Sequence, residues 1–279
     1  MEFIEIIKTI FLGIVEGITE WLPVSSTGHM IVFDEFVKLS LSEEFKEMFF
    51  VVIQLGAICA VPVLFFERLN PFSRKKSEAE KKSCLSLWGK VIVGAVPAAV
   101  IGVLLDDIFD KYLYNYIVVS IALIVYGIAF ILIERKNRNK ALRIESVEAL
   151  SYKDALIIGS FQVLSLIPGT SRSGSTIIGG MLTGVSRSAA AEFSFFMAIP
   201  IMLGASGLKI LKFIAGGFTA SGAEITLLLI GIAVSFVVSL AAIKFLMDFV
   251  KKHSFAPFGV YRIILGIFVI SFFLTKSIA

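Results

Sequence analysis

Two carboxylates stand one helical turn apart in an apolar setting: Glu16 and Glu20, within Gly13-Ile-Val-Glu-Gly-Ile-Thr-Glu-Trp-Leu-Pro-Val-Ser-Ser26. At i, i+4 spacing their side chains share a helix face. An ionisable group buried among apolar residues is a functional candidate by default. Two like charges so close repel unless a divalent cation or a shared proton neutralises them. Mg2+ and Ca2+ both take oxygen ligands, and Mg2+ usually completes its shell with water and substrate phosphates. The plainer alternative is a solvated helix face, and Ile18, Trp21 and Leu22 argue against it. Directly behind the pair comes Pro23-Val-Ser25-Ser26-Thr27-Gly28-His29. A histidine works as acid or base near neutral pH, and a serine beside such a base can be a nucleophile. Alone, Ser-Ser-Thr-Gly is ordinary turn chemistry; its weight comes from the carboxylates it follows. The second histidine, His253, follows Lys251 and Lys252 at a span end and reads as a headgroup-level residue.

A second polar cluster lies far along the chain: Pro168-Gly-Thr-Ser171-Arg172-Ser173-Gly-Ser-Thr176. Glycines and hydroxyls before a helix present backbone N–H groups to an anion. Arg172 adds a fork suited to phosphate oxygens. A purely structural arginine here would need a carboxylate partner, which Glu16 or Glu20 could supply. The stretch also looks like a Walker A loop, but Ser175 stands where its lysine should be and no parallel-sheet unit surrounds it, so a nucleotide-binding domain is not implied.

These clusters must be held by membrane helices. Hydrophobic residues make up 57% of the 279, and charged residues only 17%, against about 25% in soluble domains. Six apolar stretches are expected to span a bilayer: about 49–66, 91–105, 116–133, 193–208, 225–243 and 258–275, the last despite Arg262. The net charge of +4 reflects loops rather than a nucleic-acid partner. Residues 67–90 and 134–153 are basic, while 106–115 carries Asp106, Asp107 and Asp110. The positive-inside rule places the basic loops in the cytoplasm and residues 34–47, 106–115 and both termini outside; the weakly basic 209–222 (Lys209, Lys212) fits less well. Cys59 and Cys84 form no disulfide or metal pattern. The first residues lack a basic n-region and carry Glu16 and Glu20, so they do not read as a signal peptide.

Two apolar segments remain, 3–33 and 155–185, each broken by Pro, Gly, Ser and Thr. Both read Gly-x-x-(Glu/Gln), then Pro-x-(Ser/Thr)-Ser, with a one-residue gap between the halves, and three spans follow each. An odd number of spans inverts the second copy, as in inverted-repeat proteins with interrupted helices. The expectation is an all-α integral membrane protein. It is a single domain of six spans and two re-entrant helix–loop–helix hairpins, with repeats at 1–133 and 155–279. Irregular backbone at membrane depth needs protein or a water-filled cavity around it. The alternative assigns Phe3–Trp21 and Met30–Val37 to ordinary spans or an interfacial helix.

Glu16-Gly-Ile-Thr-Glu20-Trp-Leu-Pro-Val-Ser-Ser-Thr-Gly-His29 closely resembles a signature of bacterial undecaprenyl-diphosphatases, the bacitracin-resistance family. Pro168–Thr176 resembles the family's second signature. Gln54-Leu-Gly-Ala57, Phe193-Ser-Phe-Phe-Met-Ala-Ile-Pro200 and Tyr261-Arg-Ile-Ile-Leu-Gly266 extend the likeness nearly end to end. The resemblance implies hydrolysis of undecaprenyl diphosphate to the monophosphate and inorganic phosphate at the inner membrane, recycling the carrier lipid for peptidoglycan. It implies a divalent cation and a site accessible from outside the cytoplasm. By matched positions Glu16 and Glu20 form the metal and catalytic group, with Ser26 and His29. Arg172, Ser171, Ser173 and Thr176, with Ser25 and Thr27, hold the diphosphate. In the expected mechanism Ser26, helped by His29 or Glu20, attacks the terminal phosphorus; a second version gives that role to His29 or an activated water. The partners are the polyprenyl diphosphate and the bilayer, with a homodimer allowed and no nucleic acid. The rival reading is a polyprenyl-phosphate transporter or flippase, since inverted repeats are common in carriers.

Overall fold

The structure is a computed structural model that describes residues 3–278 except 139, with the side chains of residues 106, 107, 110, 277 and 278 also outside the description. The described residues are helical, and β structure is limited to one isolated bridge between Ile144 and Val185. The helices are α1 (Phe3–Thr19), α2 (Ser26–Val37), α3 (Glu43–Val52), α4 (Gln54–Leu64), α5 (Phe66–Leu69), α6 (Glu78–Leu113), α7 (Tyr116–Asn137), α8 (Tyr152–Gln162), α9 (Arg172–Leu182), α10 (Arg187–Ala215), α11 (Gly222–Lys252) and α12 (Ala256–Ile278). A 3-10 turn, Val163–Leu166, follows α8.

Six segments among the described residues are long and apolar enough to cross a bilayer: Glu43–Leu64, Glu78–Leu105, Tyr116–Asn137, Arg187–Ala215, Gly222–Lys252 and Ala256–Lys276. All six expected spans are present, each longer than its apolar run. Their outer faces carry exposed Val103, Leu104, Val237 and Ile264, the surface a lipid-facing helix presents. The two broken segments form the helix pairs α1–α2 and α8–α9, none of which is among the six.

The loops are shorter than charge alone suggests. Residues 106–113 continue α6, which leaves two residues before α7; the side chains of Asp106, Asp107 and Asp110 lie outside the described residues. Lys81, Lys82 and Lys90 lie on α6, and Lys209 and Lys212 on α10. The expected outer loop 34–47 contracts to 38–42. Charge marks where a helix leaves the apolar zone, whereas a helix ends where its last backbone groups find caps. Thus α6 starts at a capping box made by Ser77 and Glu80, and α7 at Asn115, whose side chain accepts from Val118 N at 3.0 Å.

The first span is two helices meeting at Ile53. The backbone there stays helical (φ −61°, ψ −22°), so the span is adjusted rather than ended. Ser235 on α11 donates to the Ile53 carbonyl at 2.7 Å, which also accepts from Gly56 N at 3.1 Å in a tightened turn.

Packing pairs α1 with α11, α8 with α6, and α7 with α12. Glycines permit the close crossings. A methyl built on Gly159 would sit 2.0 Å from the Gly94 carbonyl oxygen on α6, and one on Gly127 would sit 2.6 Å from the Gly259 oxygen on α12. Overpacking a close helix contact costs about 1–3 kcal/mol. Gly159→Ala is therefore expected to lower thermal stability by that order. Gly204→Ala, where a methyl meets nothing within 4 Å, should leave stability unchanged or raise it by about 0.5–1 kcal/mol. Thermal unfolding of the two variants in detergent checks this, and equal melting temperatures would contradict the packing.

Candidate functional site

The two broken segments share a local design. Each chain turn ends in a serine with positive φ, Ser25 (φ 74°, ψ 102°) and Ser171 (φ 72°, ψ 129°). This conformation is costly for a residue with a Cβ, and such strain clusters at functional sites. Each serine then caps the next helix: Ser25 Oγ accepts from Gly28 N and Ser171 Oγ from Gly174 N, both at 3.2 Å. The first helical residue after each cap is Ser26 in α2 and Arg172 in α9. One constant offset in the chain relates Ser25 to Ser171, Gly28 to Gly174 and Glu16 to Gln162. This corrects the register that aligned the two prolines through a gap. The strained cap, set by backbone geometry, is the matching landmark, and the prolines lie one place apart around it.

These two first residues meet on one carboxylate. Arg172 donates to Glu20 Oε1 from both Nε and Nη2, each at 3.1 Å. Ser26 Oγ donates to Glu20 Oε2 at 3.0 Å. Ser173 Oγ donates to the Glu20 carbonyl at 3.2 Å. The ion pair is secluded, with side-chain exposures of 9% for Arg172 and 8% for Glu20. Removing either partner would leave an uncompensated buried charge.

Other expected residues have definite places. Glu16 sits one turn before Glu20 on α1, with the Glu20 N–H donating to its carbonyl at 3.0 Å. It is 1% exposed, and its Oε1 has no partner. His29 is buried and spends both ring nitrogens, Nδ1 on the Ser25 carbonyl and Nε2 on the Tyr261 hydroxyl, each at 2.7 Å. The hydroxyl hydrogen-bonded to a potential base is thus Ser26 on Glu20, and His29 points to Tyr261. Ser171 Oγ contacts Ser173 Oγ at 3.2 Å. Thr176 faces inward, donating to Ser194 Oγ at 2.6 Å. Thr27 is half-buried in the first turn of α2. His253 is exposed at the end of α11.

Three supporting groups escaped the sequence reading. Ser194 on α10 accepts from Arg172 Nη1 through its carbonyl at 2.8 Å and its hydroxyl at 3.2 Å. Trp21 lies under the Arg172 guanidinium, 5.6 Å from it, and packs edge-on against Phe195. Arg262 on α12 is fully buried and has no carboxylate partner among the described residues. It donates to the Pro23 carbonyl at 3.1 Å, and to those of Gly169 and Thr170 at 2.7 and 2.9 Å. It therefore ties together the two turns that carry Ser26 and Arg172. An arginine inside an apolar span was the available signal. Its acceptors are backbone carbonyls, which leave no mark in side-chain types. A cavity of about 390 Å3 opens one turn along α2 from Ser26, lined by Met30, Asp34, Lys46, Phe50 and Lys209 among others.

Comparison with known proteins matches this sequence over nearly its whole length. The family model described as bacitracin resistance protein BacA covers residues 9–268. A protein of Enterococcus faecalis named undecaprenyl-diphosphatase is 58% identical over 274 residues, 98% of this chain and 99% of the relative. One of Desulfitobacterium hafniense with the same name is 54% identical over 279 residues, 100% of this chain and 99% of the relative. A third, from Acetivibrio thermocellus, is 57% identical over 271 residues, covering 97% and 98%.

Because Arg262 bonds to both turns, Arg262→Met should loosen them together. Amide hydrogen exchange at residues 23–28 and 169–174 is expected to rise in both segments, by about tenfold or more if a single charge-assisted bond of 1.5–3 kcal/mol is lost from each side. Faster exchange in one turn alone would contradict the bracing role.

Proposed function

Because this chain belongs to the BacA family of bacitracin resistance proteins, we propose that it is an undecaprenyl-diphosphatase of the bacterial inner membrane, removing the terminal phosphate of undecaprenyl diphosphate. The observation that carries the reading is the Glu20 carboxylate, which accepts from the Ser26 hydroxyl on one oxygen and from Arg172 on the other. A hydroxyl on a carboxylate beside a guanidinium is the minimum set for phosphoryl transfer through a serine. A carrier needs the guanidinium but has no use for the activated hydroxyl, and the relatives are named as phosphatases. The transporter reading is accordingly not favoured.

The steps follow from these contacts. Each guanidinium nitrogen already donates to Glu20 or Ser194, so an incoming diphosphate gains a two-pronged hold on it by exchanging with Glu20. That exchange frees Glu20 to take the Ser26 proton when substrate is in place. The Ser26 Oγ–phosphorus bond forms as the bridging phosphorus–oxygen bond breaks, and undecaprenyl phosphate leaves. Water then cleaves the phosphoserine, releasing inorganic phosphate and returning a proton to Ser26. His29, held by Ser25 and Tyr261, steadies the strained turn, which favours Ser26 over His29 as attacker. Ser25, Ser171 and Thr176 then act as positioning groups, the first two as caps and Thr176 through Ser194. Ser173 and Thr27 would contact phosphate oxygens once substrate is bound.

Glu16 and Glu20 would hold a divalent cation. The buried, unpartnered Glu16 oxygen beside a second carboxylate is a hard oxygen donor set that suits Mg2+ or Ca2+. Bound there, the ion would offset the negative charge of the diphosphate.

We further propose that α1–α2 and α8–α9 are re-entrant hairpins of an inverted repeat, 1–133 and 155–279. The matched serine caps support this, as does the exchange of partners by which α1 packs on α11 and α8 on α6. The basic ends of the spans are assigned to the cytoplasm and the site to the outer side.

Purified protein is expected to release phosphate from undecaprenyl diphosphate with Mg2+ or Ca2+ and to lose this with a chelator. Glu20→Gln should lower the rate by about 10²–10⁴-fold, and Arg172→Lys by about 10²-fold. Single-turnover trapping should give a phosphoenzyme mapping to Ser26; its absence would shift the attack to water. For orientation, single cysteines in a Cys59→Ala/Cys84→Ala background are informative. An impermeant maleimide on intact cells should label Leu41→Cys and Gly217→Cys, and spare Lys75→Cys and Ala141→Cys. The reverse pattern would overturn the assignment.

A further inference from the structure

Away from the Glu20–Arg172 site lies a second cavity, of about 490 Å3. It is framed by the end of α7, the end of α9, the start of α10 and the end of α11. Its lining contains four cations, Arg138, Lys140, Arg187 and Lys251, and no acidic side chain. Arg187 spends Nε and Nη2 on Glu134, at 2.8 and 2.5 Å, which leaves Nη1 uncommitted. Among the described residues Lys251 pairs with exposed Asp248, at 3.0 Å, a contact worth little in water. The cavity therefore holds two cations, Arg138 and Lys140, without an ionic partner among the described residues, beside two more that have one.

Its position narrows the ligand. Three of the framing elements are bilayer spans that begin or end here, so the cations sit at headgroup level. Apolar side chains flank them, with Leu142 53% and Leu182 46% exposed. Cations beside exposed leucines suit a phosphate that carries acyl chains better than a free phosphate ion. Basic pockets between spans are the recurrent means of holding anionic lipid headgroups.

We infer that this cavity is a binding site for the phosphate headgroup of an anionic phospholipid, distinct from the Glu20–Arg172 site. The lipid would tie α7, α9, α10 and α11 together at the end where α9, the helix bearing Arg172, terminates. The inference does not depend on the phosphatase reading.

Native mass spectrometry of the full chain, titrated with phosphatidylglycerol or phosphatidylcholine, tests it. Each surface cation contributes about fivefold to anionic lipid affinity. The protein is expected to prefer one phosphatidylglycerol over phosphatidylcholine by about tenfold or more. Arg138→Gln/Lys140→Gln should weaken that binding by about 20-fold without changing phosphate release in neutral detergent. Excess inorganic phosphate, compared with chloride at matched ionic strength, should not displace the lipid. Equal binding of the two lipids, or undiminished binding by the variant, would overturn the site. Displacement by phosphate would overturn the lipid assignment in favour of a small-anion pocket.

Discussion

A guanidinium and a carboxylate inside a membrane protein persist only if each satisfies the other, and the Glu20–Arg172 pair is that constraint here. Everything around it serves to bring two distant chain segments to the same point. Glu20 closes α1 and Arg172 opens α9, so neither helix pair can complete the contact alone. Arg262 supplies the scaffold by holding the carbonyls of both turns. Ser194 and Trp21 fix the guanidinium from the remaining directions.

The same arrangement explains why the turns are strained. Ser25 and Ser171 each take a backbone conformation that side chains disfavour, and in return each helix starts with a residue that bonds Glu20. Local cost is offset by the buried network that both turns join, and this is how strain is retained at working sites. The paired use of one turn design places a hydroxyl and a guanidinium on either side of a single carboxylate.

The membrane character and all six spans were legible because apolar runs of bilayer length have few other uses. The polar residues that converge were legible because carboxylates, an arginine and clustered hydroxyls are out of place in such runs. Their convergence is also the outcome the sequence suggested, with Arg172 needing a partner and Glu20 near at hand. Helix ends were read less well, since charge marks the edge of the apolar zone and α6 or α10 winds on past it. The internal register slipped by one residue because prolines were matched and strained serines have no distinct signature. His29 beside Ser26 looked like a base for it, yet ring direction depends on Tyr261, distant in the chain. Arg262 stood out as a residue, but its backbone acceptors could not be read from side chains.

The central claim is that Glu20 and Arg172, brought from two turns, act as one unit on the diphosphate. A double-mutant cycle on phosphate release tests it most directly, using Glu20→Gln, Arg172→Lys and the combined variant with undecaprenyl diphosphate. Residues that act as a unit lose activity non-additively. The combined variant is therefore expected to be no worse than the more damaged single variant. Losses that multiply, as for two independent sites, would contradict the account.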